Sequence, residues 1–171
     1  MDVSIRGMTL ADLYEVLEIE KNSFPTPWSL RAFVAELTDN EHAHYLVACV
    51  EDRIVGYGGY WIILDEAHVT NIAVHPGYRG FKIGNRILVE LMKRAARDGA
   101  KRMTLEVRQS NKPAQKLYEK MGFIRQGVRK GYYTDTGEDA YIMCQDNLVE
   151  FLERKAGEGD YTQTGSPVES R

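Results

Sequence analysis

Six residues, Arg79-Gly80-Phe81-Lys82-Ile83-Gly84, put two cations and two glycines directly ahead of a run with helical spacing. In that run Ile83, Ile87, Leu88, Leu91 and Ala95 mark one face, and Asn85, Arg86, Lys93, Arg94 and Arg97 the other. A helix N-terminus offers unpaired backbone N–H groups and about half a positive elementary charge, so a cationic, glycine-containing loop at that end suits a phosphate or diphosphate. Neither Gly-x-x-x-x-Gly-Lys-Ser/Thr nor Gly-x-Gly-x-x-Gly is present between Gly77 and Gly84, which disfavours both common nucleotide loops. A plain strand-to-helix turn with solvated cations remains the alternative. Glu106 and Tyr118 are the other groups of interest. By pattern alone, Glu106 shares a polar strand face with Thr104 and Arg108, while Tyr118 joins Ala114, Leu117 and Met121 on an apolar helix stripe. That pattern reads as a solvated or paired carboxylate and a core tyrosine.

The elements that must position these groups follow in order. Val3 to Arg6 reads as a strand, and Thr9 with Asp12 as a helix cap, with Leu10, Leu13, Val16, Leu17 and Glu20 on the buried face behind it. Phe24-Pro25-Thr26-Pro27-Trp28 breaks that helix and holds two aromatic rings in a stiff loop before Ser29 caps a second one. Tyr45–Val50 and Ile54–Ile63 form a hairpin, and Glu66–Val74 is the strand that enters the cationic loop. After its helix, Met103–Arg108 closes a parallel crossover, which puts the loop at the carboxyl end of the first strand. Pro113 starts a short helix that stops at Gly122. Phe123–Tyr133 and Glu138–Gln145 are strands joined at Thr134–Gly137, and Leu148–Lys155 is a short closing helix.

Length and composition bound the rest. A chain of 171 residues with 43% hydrophobic residues supports one core, expected over residues 1–156, with the polar residues 157–171 as a disordered tail. A net charge of −3 gives no global field for nucleic acid. Cys49, Cys144 and the four histidines have no metal or redox spacing, so no metal is expected and reduced thiols fit the cytoplasm. The sequence shows no signal segment and no span for a membrane. It leaves the oligomeric state open.

Arg79–Gly84 resembles the pyrophosphate loop of the GCN5-related N-acetyltransferases (GNAT), Arg/Gln-x-x-Gly-x-Gly/Ala, with Lys82 where the family usually has its first glycine. The stretch from Leu105 to Phe123, LEVRQSNKPAQKLYEKMGF, closely resembles the ribosomal-protein-alanine branch of that superfamily. So do Phe24-Pro25 with Trp28, Gly131-Tyr132-Tyr133 and the run from Gly137 to Met143, so the resemblance covers roughly residues 3 to 145. It implies an α/β fold whose mixed, mostly antiparallel sheet carries a parallel, splayed strand pair flanked by helices. Acetyl-coenzyme A is the implied donor, with direct transfer to an amine and the N-terminus of a ribosomal protein as partner. Backbone groups of Ile72, Ala73 and Val74 would take the pantetheine arm, Arg79, Gly80, Phe81, Lys82, Ile83 and Gly84 the pyrophosphate, and Asn111 a further cofactor contact. Glu106 matches the family's proton acceptor and Tyr118 its proton donor. Glu66 is a rival base, but about 3.3 Å per residue puts it roughly 26 Å from Val74.

The acceptor is less specified. An α-amino group titrates near 7.7–8.0 and lysine near 10.4, so lysine needs about 3.4 kcal/mol more help at neutral pH, and a weak carboxylate base suits an N-terminus. Phe24 and Trp28 on one side, with Tyr132, Tyr133 and Tyr141 on the other, would wall a slot for an extended peptide end. A broader N-terminal or small-amine acetyltransferase, and a coenzyme A-binding sensor without turnover, are the other readings.

Overall fold

A computed structural model describes residues 1–158; the segment from 159 onward, which holds most of the expected tail, lies outside the described residues. Seven strands form one sheet in the order β1-β2-β3-β4-β5-β7-β6. They are β1 (Val3–Gly7), β2 (Ala43–Val50), β3 (Arg53–Ile63), β4 (Glu66–Val74), β5 (Arg102–Arg108), β6 (Ile124–Tyr133) and β7 (Glu138–Gln145). The helices are α1 (Leu13–Ser23), α2 (Leu30–Thr38), α3 (Ile83–Arg97), α4 (Lys112–Lys120) and α5 (Leu148–Glu158). All neighbouring strands run antiparallel except β4 and β5. The expected mixed sheet with its parallel crossover is therefore present.

That parallel pair is short. Only Glu66↔Arg102, Ala67↔Met103 and His68↔Thr104 pair, and then the strands part, β5 continuing to Arg108 against β7 alone. The cause lies on the other side of β4, where Gly59 pairs with Asn71 but Tyr60 with Val69, leaving Thr70 as an extra residue. Such a bulge bends its strand and flips the side-chain alternation beyond it. So Ala67 and Val69, then Ile72 and Val74, all join the larger core, which a regular strand could not achieve. The ends of β4 and β5 are left as the arms of a V.

Two cores flank the sheet. The larger packs α3, α4 and α5 against one face; the smaller packs Leu13, Val16, Ile19 and Phe33 of α1 and α2 against Val47, Tyr57 and Ala73 on the other. Helix α3 lies close on β3 because Gly56 and Gly58 lack side chains there: a Cβ at Gly58 would stand 2.7 Å from Ile87 Cγ2 and 3.2 Å from Leu91 Cδ1.

Three helix expectations are corrected. Leu10 is exposed and Ile19 takes its place on the buried face, because residues Leu10–Asp12 form a 3₁₀ turn whose three-residue period sets a different phase from the α-helix that follows. The cap itself is as expected, with Asp12 accepting from the Thr9 N–H at 2.7 Å. Asn85, expected on the solvent face of α3, is fully buried, since α5 and β1 also contact this helix and widen its covered arc beyond the stripe facing the sheet. Helix α5 runs to Glu158, three residues past the Lys155 end expected for the closing helix, and buries Leu148 and Phe151.

Gly58→Val tests the close approach of α3. Overpacking of this kind costs about 1–3 kcal/mol, so urea unfolding should show an unfolding free energy lower by that amount and a correspondingly lower midpoint; an unchanged midpoint would mean that α3 can shift freely over β3.

Candidate active site

The cationic loop follows β4 at the open end of the V. Arg79 folds back, its Nε donating to the Val74 carbonyl at 3.0 Å and its Nη2 to Ser23 Oγ at 3.2 Å, so it fastens the strand end to the end of α1. Gly80 and Lys82 both have positive φ, 88° and 63°. Lys82, the N-cap of α3, is thus left-handed, a conformation costing a non-glycine residue about 1–2 kcal/mol. This explains the family preference for glycine at that position: the backbone must turn there whatever it binds. Phe81 is exposed, while Ile83 and Gly84 are buried in the first turn of α3.

The side chains of Ile72, Ala73 and Val74 are fully buried, so only their backbone can serve a ligand. Beside them, Asn71 Nδ2 and both amide atoms of Asn85 are buried with no hydrogen-bond partner among the described residues. Buried amides are costly to leave unsatisfied, and these sit in β4 and in the first turn of α3, the two elements that flank the loop. The site therefore fits a polar, anionic ligand entering the gap.

A cavity of about 510 Å³ opens beside the V. Ser23, Phe24, Pro25 and Thr26 form one wall, Tyr132, Tyr133, Thr134 and Asp135 the other, and Arg108, Ser110 and Asn111 the floor between them. Its walls are held by charged side chains. Glu20, fully buried at the end of α1, accepts from the Trp28 N–H at 2.7 Å and from the Tyr57 hydroxyl, which fixes the Phe24–Trp28 loop. Arg108 grips Asp135 at 2.7 Å and Glu138 at 3.5 Å, and its guanidinium stacks 3.9 Å over the Tyr133 ring. The hydrogen bond to Arg108 keeps the Asp135 carboxyl below its usual range.

Of the five residues expected to wall the slot, Phe24, Tyr132 and Tyr133 do so. Trp28 does not line the cavity; its ring packs on Phe33 at 5.2 Å, because the Glu20 bond turns the loop inward. Tyr141 does not line it either: opposite Val107 in register, it packs on the larger core beneath the Arg125 guanidinium. Asn111 lines the cavity and its side chain caps α4, accepting from the Ala114 N–H at 3.2 Å.

Glu106 and Tyr118 lie on opposite faces of β5. Tyr118 is fully buried in the larger core with Leu105 and Val107, its ring tilted against Phe123 at 5.7 Å. Glu106 points the other way into a groove of about 550 Å³ lined by His68, Thr104, Arg129 and Ile142 among others. Its Oε2 lies 2.6 Å from His68 Nε2 and its Oε1 3.2 Å from Arg129 Nε. Burial pushes the Glu106 carboxyl up, but His68 and Arg129 together hold it below its ordinary value. The sequence pointed to neither partner. Glu66, at the closed end of the V, is bound to Arg102 at 3.6 Å. Among the described residues no three His, Cys, Asp or Glu side chains converge on a point that could hold a metal ion, and no helix is long and apolar enough to cross a membrane.

A bulged strand parting from its parallel neighbour, with a cationic turn at the open end, is the arrangement that the acetyltransferase resemblance implies. Residues 13–123 match the acetyltransferase (GNAT) family, and the chain belongs to that family, whose members use acetyl-coenzyme A as donor; it is an N-acetyltransferase. More narrowly, it is 46% identical over 140 residues to a putative [ribosomal protein bS18]-alanine N-acetyltransferase of Bacillus subtilis, covering 82% of this chain and 93% of that protein. The [ribosomal protein bS18]-alanine N-acetyltransferase of Escherichia coli K12 is 33% identical over 145 residues, covering 82% and 95%. The crystal structure of the ribosomal-protein-S18-alanine N-acetyltransferase from Escherichia coli superposes with a TM-score of 0.77 at 32% identity over 84% of this chain and 92% of that one.

Lys82→Gly separates strain from contact. Relief of the left-handed lysine, offset by the freer unfolded chain, should raise stability by up to about 1 kcal/mol, and calorimetry should show coenzyme A binding retained. A loss of more than about tenfold in affinity, 1.4 kcal/mol, would instead make the Lys82 ammonium a phosphate ligand.

Proposed function

We propose that this chain acetylates the α-amino group of the N-terminal alanine of ribosomal protein bS18, in the cytoplasm, with acetyl-coenzyme A as donor. The observation that carries the reading is the cavity between Phe24–Thr26 and Tyr132–Asp135, a two-walled slot in which Tyr132 lies near enough to Glu106 to feel its charge. Such a slot suits a thin, extended chain end, whereas a lysine on a folded surface would need to bring its surroundings with it. The relatives named above act on the same class of acceptor, which supports the assignment.

In this reading the diphosphate of the donor lies on the Arg79–Gly84 turn, with the backbone N–H groups at the start of α3 and the Asn85 amide as its donors. The pantetheine arm runs along the backbone of Ile72–Val74 where β5 has moved away, and Asn111 borders its far end. Acetyl-coenzyme A supplies an activated acyl group with a thiolate as leaving group. Because Glu106 and Tyr118 are on opposite faces of β5, only a thioester lying in the gap between β4 and β5 has both within reach. The amine approaches on the Glu106 face, where negative charge attracts it and a base of that face takes its proton. On the core side, the Tyr118 phenol protonates the departing sulfur. A phenol near 10 is a competent acid for a thiolate whose conjugate acid is near 8.5, since the proton need only be shared as charge develops.

A peptide beginning with the free alanine of bS18 should be acetylated in preference to its Nα-blocked form and to spermidine, with mass spectrometry locating the added group on the terminal nitrogen. Modification of internal lysines on the blocked peptide at a comparable rate would refute the N-terminal assignment. Tyr118→Phe should lower kcat by about 10² or more while leaving coenzyme A affinity intact; an unchanged kcat would return Tyr118 to a packing role.

A further inference from the structure

We infer that the base for the amine is His68, with Glu106 as the carboxylate that orients it and stabilises its charged form. The inference rests on the acetyl-transfer reading above and deepens it. His68 is the last residue of β4 paired with β5, and Glu106 lies two residues beyond its partner Thr104, so the two side chains bridge the apex of the V on the face of the acceptor cavity. Tyr132, which lines that cavity, has its phenol pushed up by burial and by the Glu106 charge, so the pair is the next charged site inward from the slot.

The contacts decide which of the two can take a proton. The Glu106 side chain is 8% exposed, and both of its oxygens are engaged, Oε2 by His68 and Oε1 by Arg129. Its carboxyl is held below the ordinary range, which makes it a weaker base still. A carboxylate has no proton to donate, so a 2.6 Å contact is attractive only if His68 Nε2 carries the hydrogen. The lone pair is then on Nδ1, which has no hydrogen-bond partner among the described residues, on a side chain 36% exposed in the groove. A buried carboxylate holding one imidazole nitrogen so that the other acts as base is the logic of hydrolase triads.

Basicity favours the same choice, since an imidazole is intrinsically a far stronger base than a carboxylate and Glu106 is held below even its ordinary value. The ammonium N–H proton passes, directly or through one water, to Nδ1; the freed nitrogen pair attacks the acetyl carbonyl; the imidazolium, paired with Glu106, releases its proton to the groove; and the second N–H proton leaves as the adduct collapses, replacing through water the proton that Tyr118 gives to the sulfur. The other groups facing His68 are Trp61 of β3, whose ring lies 6.5 Å away, Glu66 of β4, Arg102 and Thr104 of β5, Arg129 of β6 and the Cys144 thiol of β7, which burial pushes up. Arg102 is paired with Glu66 and Asp146, and Arg129 with Glu106, so the cations of the groove have carboxylate partners.

His68→Gln keeps a donor for Glu106 but cannot take a proton. It should lower kcat/KM for the alanine peptide at pH 7 by on the order of 10², with coenzyme A affinity unchanged, and the deficit should shrink above about pH 8, where the amine is already neutral. His68→Ala should be partly rescued by added imidazole. Activity of His68→Gln equal to the parent at every pH would overturn the inference and return the proton to Glu106; a deficit constant with pH and not rescued by imidazole would overturn it too, by making His68 structural. If the parent protein itself leaves the alanine peptide unmodified, it is the proposed function that fails.

Discussion

The early parting of β4 from β5 is the constraint on which the site depends. Three residue pairs hold the strands together, and one unpaired residue, Thr70, turns the rest of β4 away while keeping Ile72 and Val74 in the core. A regular strand at that point would pair with β5 to its end, satisfy the backbone along it and leave no gap. The bulge thus makes a strand that is buried by its side chains and available by its backbone. The rest follows: α3 fills the space beneath by resting on Gly56 and Gly58, the cationic turn lies at the open end, and the acceptor cavity lies beside the arms.

Charged side chains are used to hold loops in place. Glu20 fixes the aromatic loop through Trp28 and Tyr57, and Arg108 fixes the β6–β7 turn through Asp135 and Glu138. Glu20 is fully buried, so removing a partner there is far more costly than weakening the more exposed Arg108–Asp135 pair. The walls of the slot are therefore better fixed than turns of their length would be alone, and a slot with fixed walls loses less entropy when it closes on a peptide.

Much of this was legible in the sequence. The strand–loop–helix unit, the hairpins, the capped helices and the parallel crossover follow from periodicity and turn residues, and agreeing motifs over most of the chain gave the family. Side-chain direction was harder. Tyr141 and Ile142 differ by one residue and face opposite sides of the sheet, and a motif match cannot say which side holds the slot. Leu10 fell outside its expected stripe because a 3₁₀ turn shifts the phase. His68 carries no signal of its own in the sequence, since its meaning comes from Glu106, 38 residues further on, through a pairing that only the sheet creates. Lys82 read as a departure from a pattern, and its backbone shows why the pattern prefers glycine.

The central claim, that the donor lies in the gap between β4 and β5, is tested most directly by amide hydrogen exchange with and without acetyl-coenzyme A. The account predicts new protection in the backbone of Ile72–Val74 and of Gly80–Asn85, with β1 and β2 unchanged. Protection confined instead to the separate pocket around His44, Tyr60 and Arg97, with Ile72–Val74 exchanging as before, would contradict it.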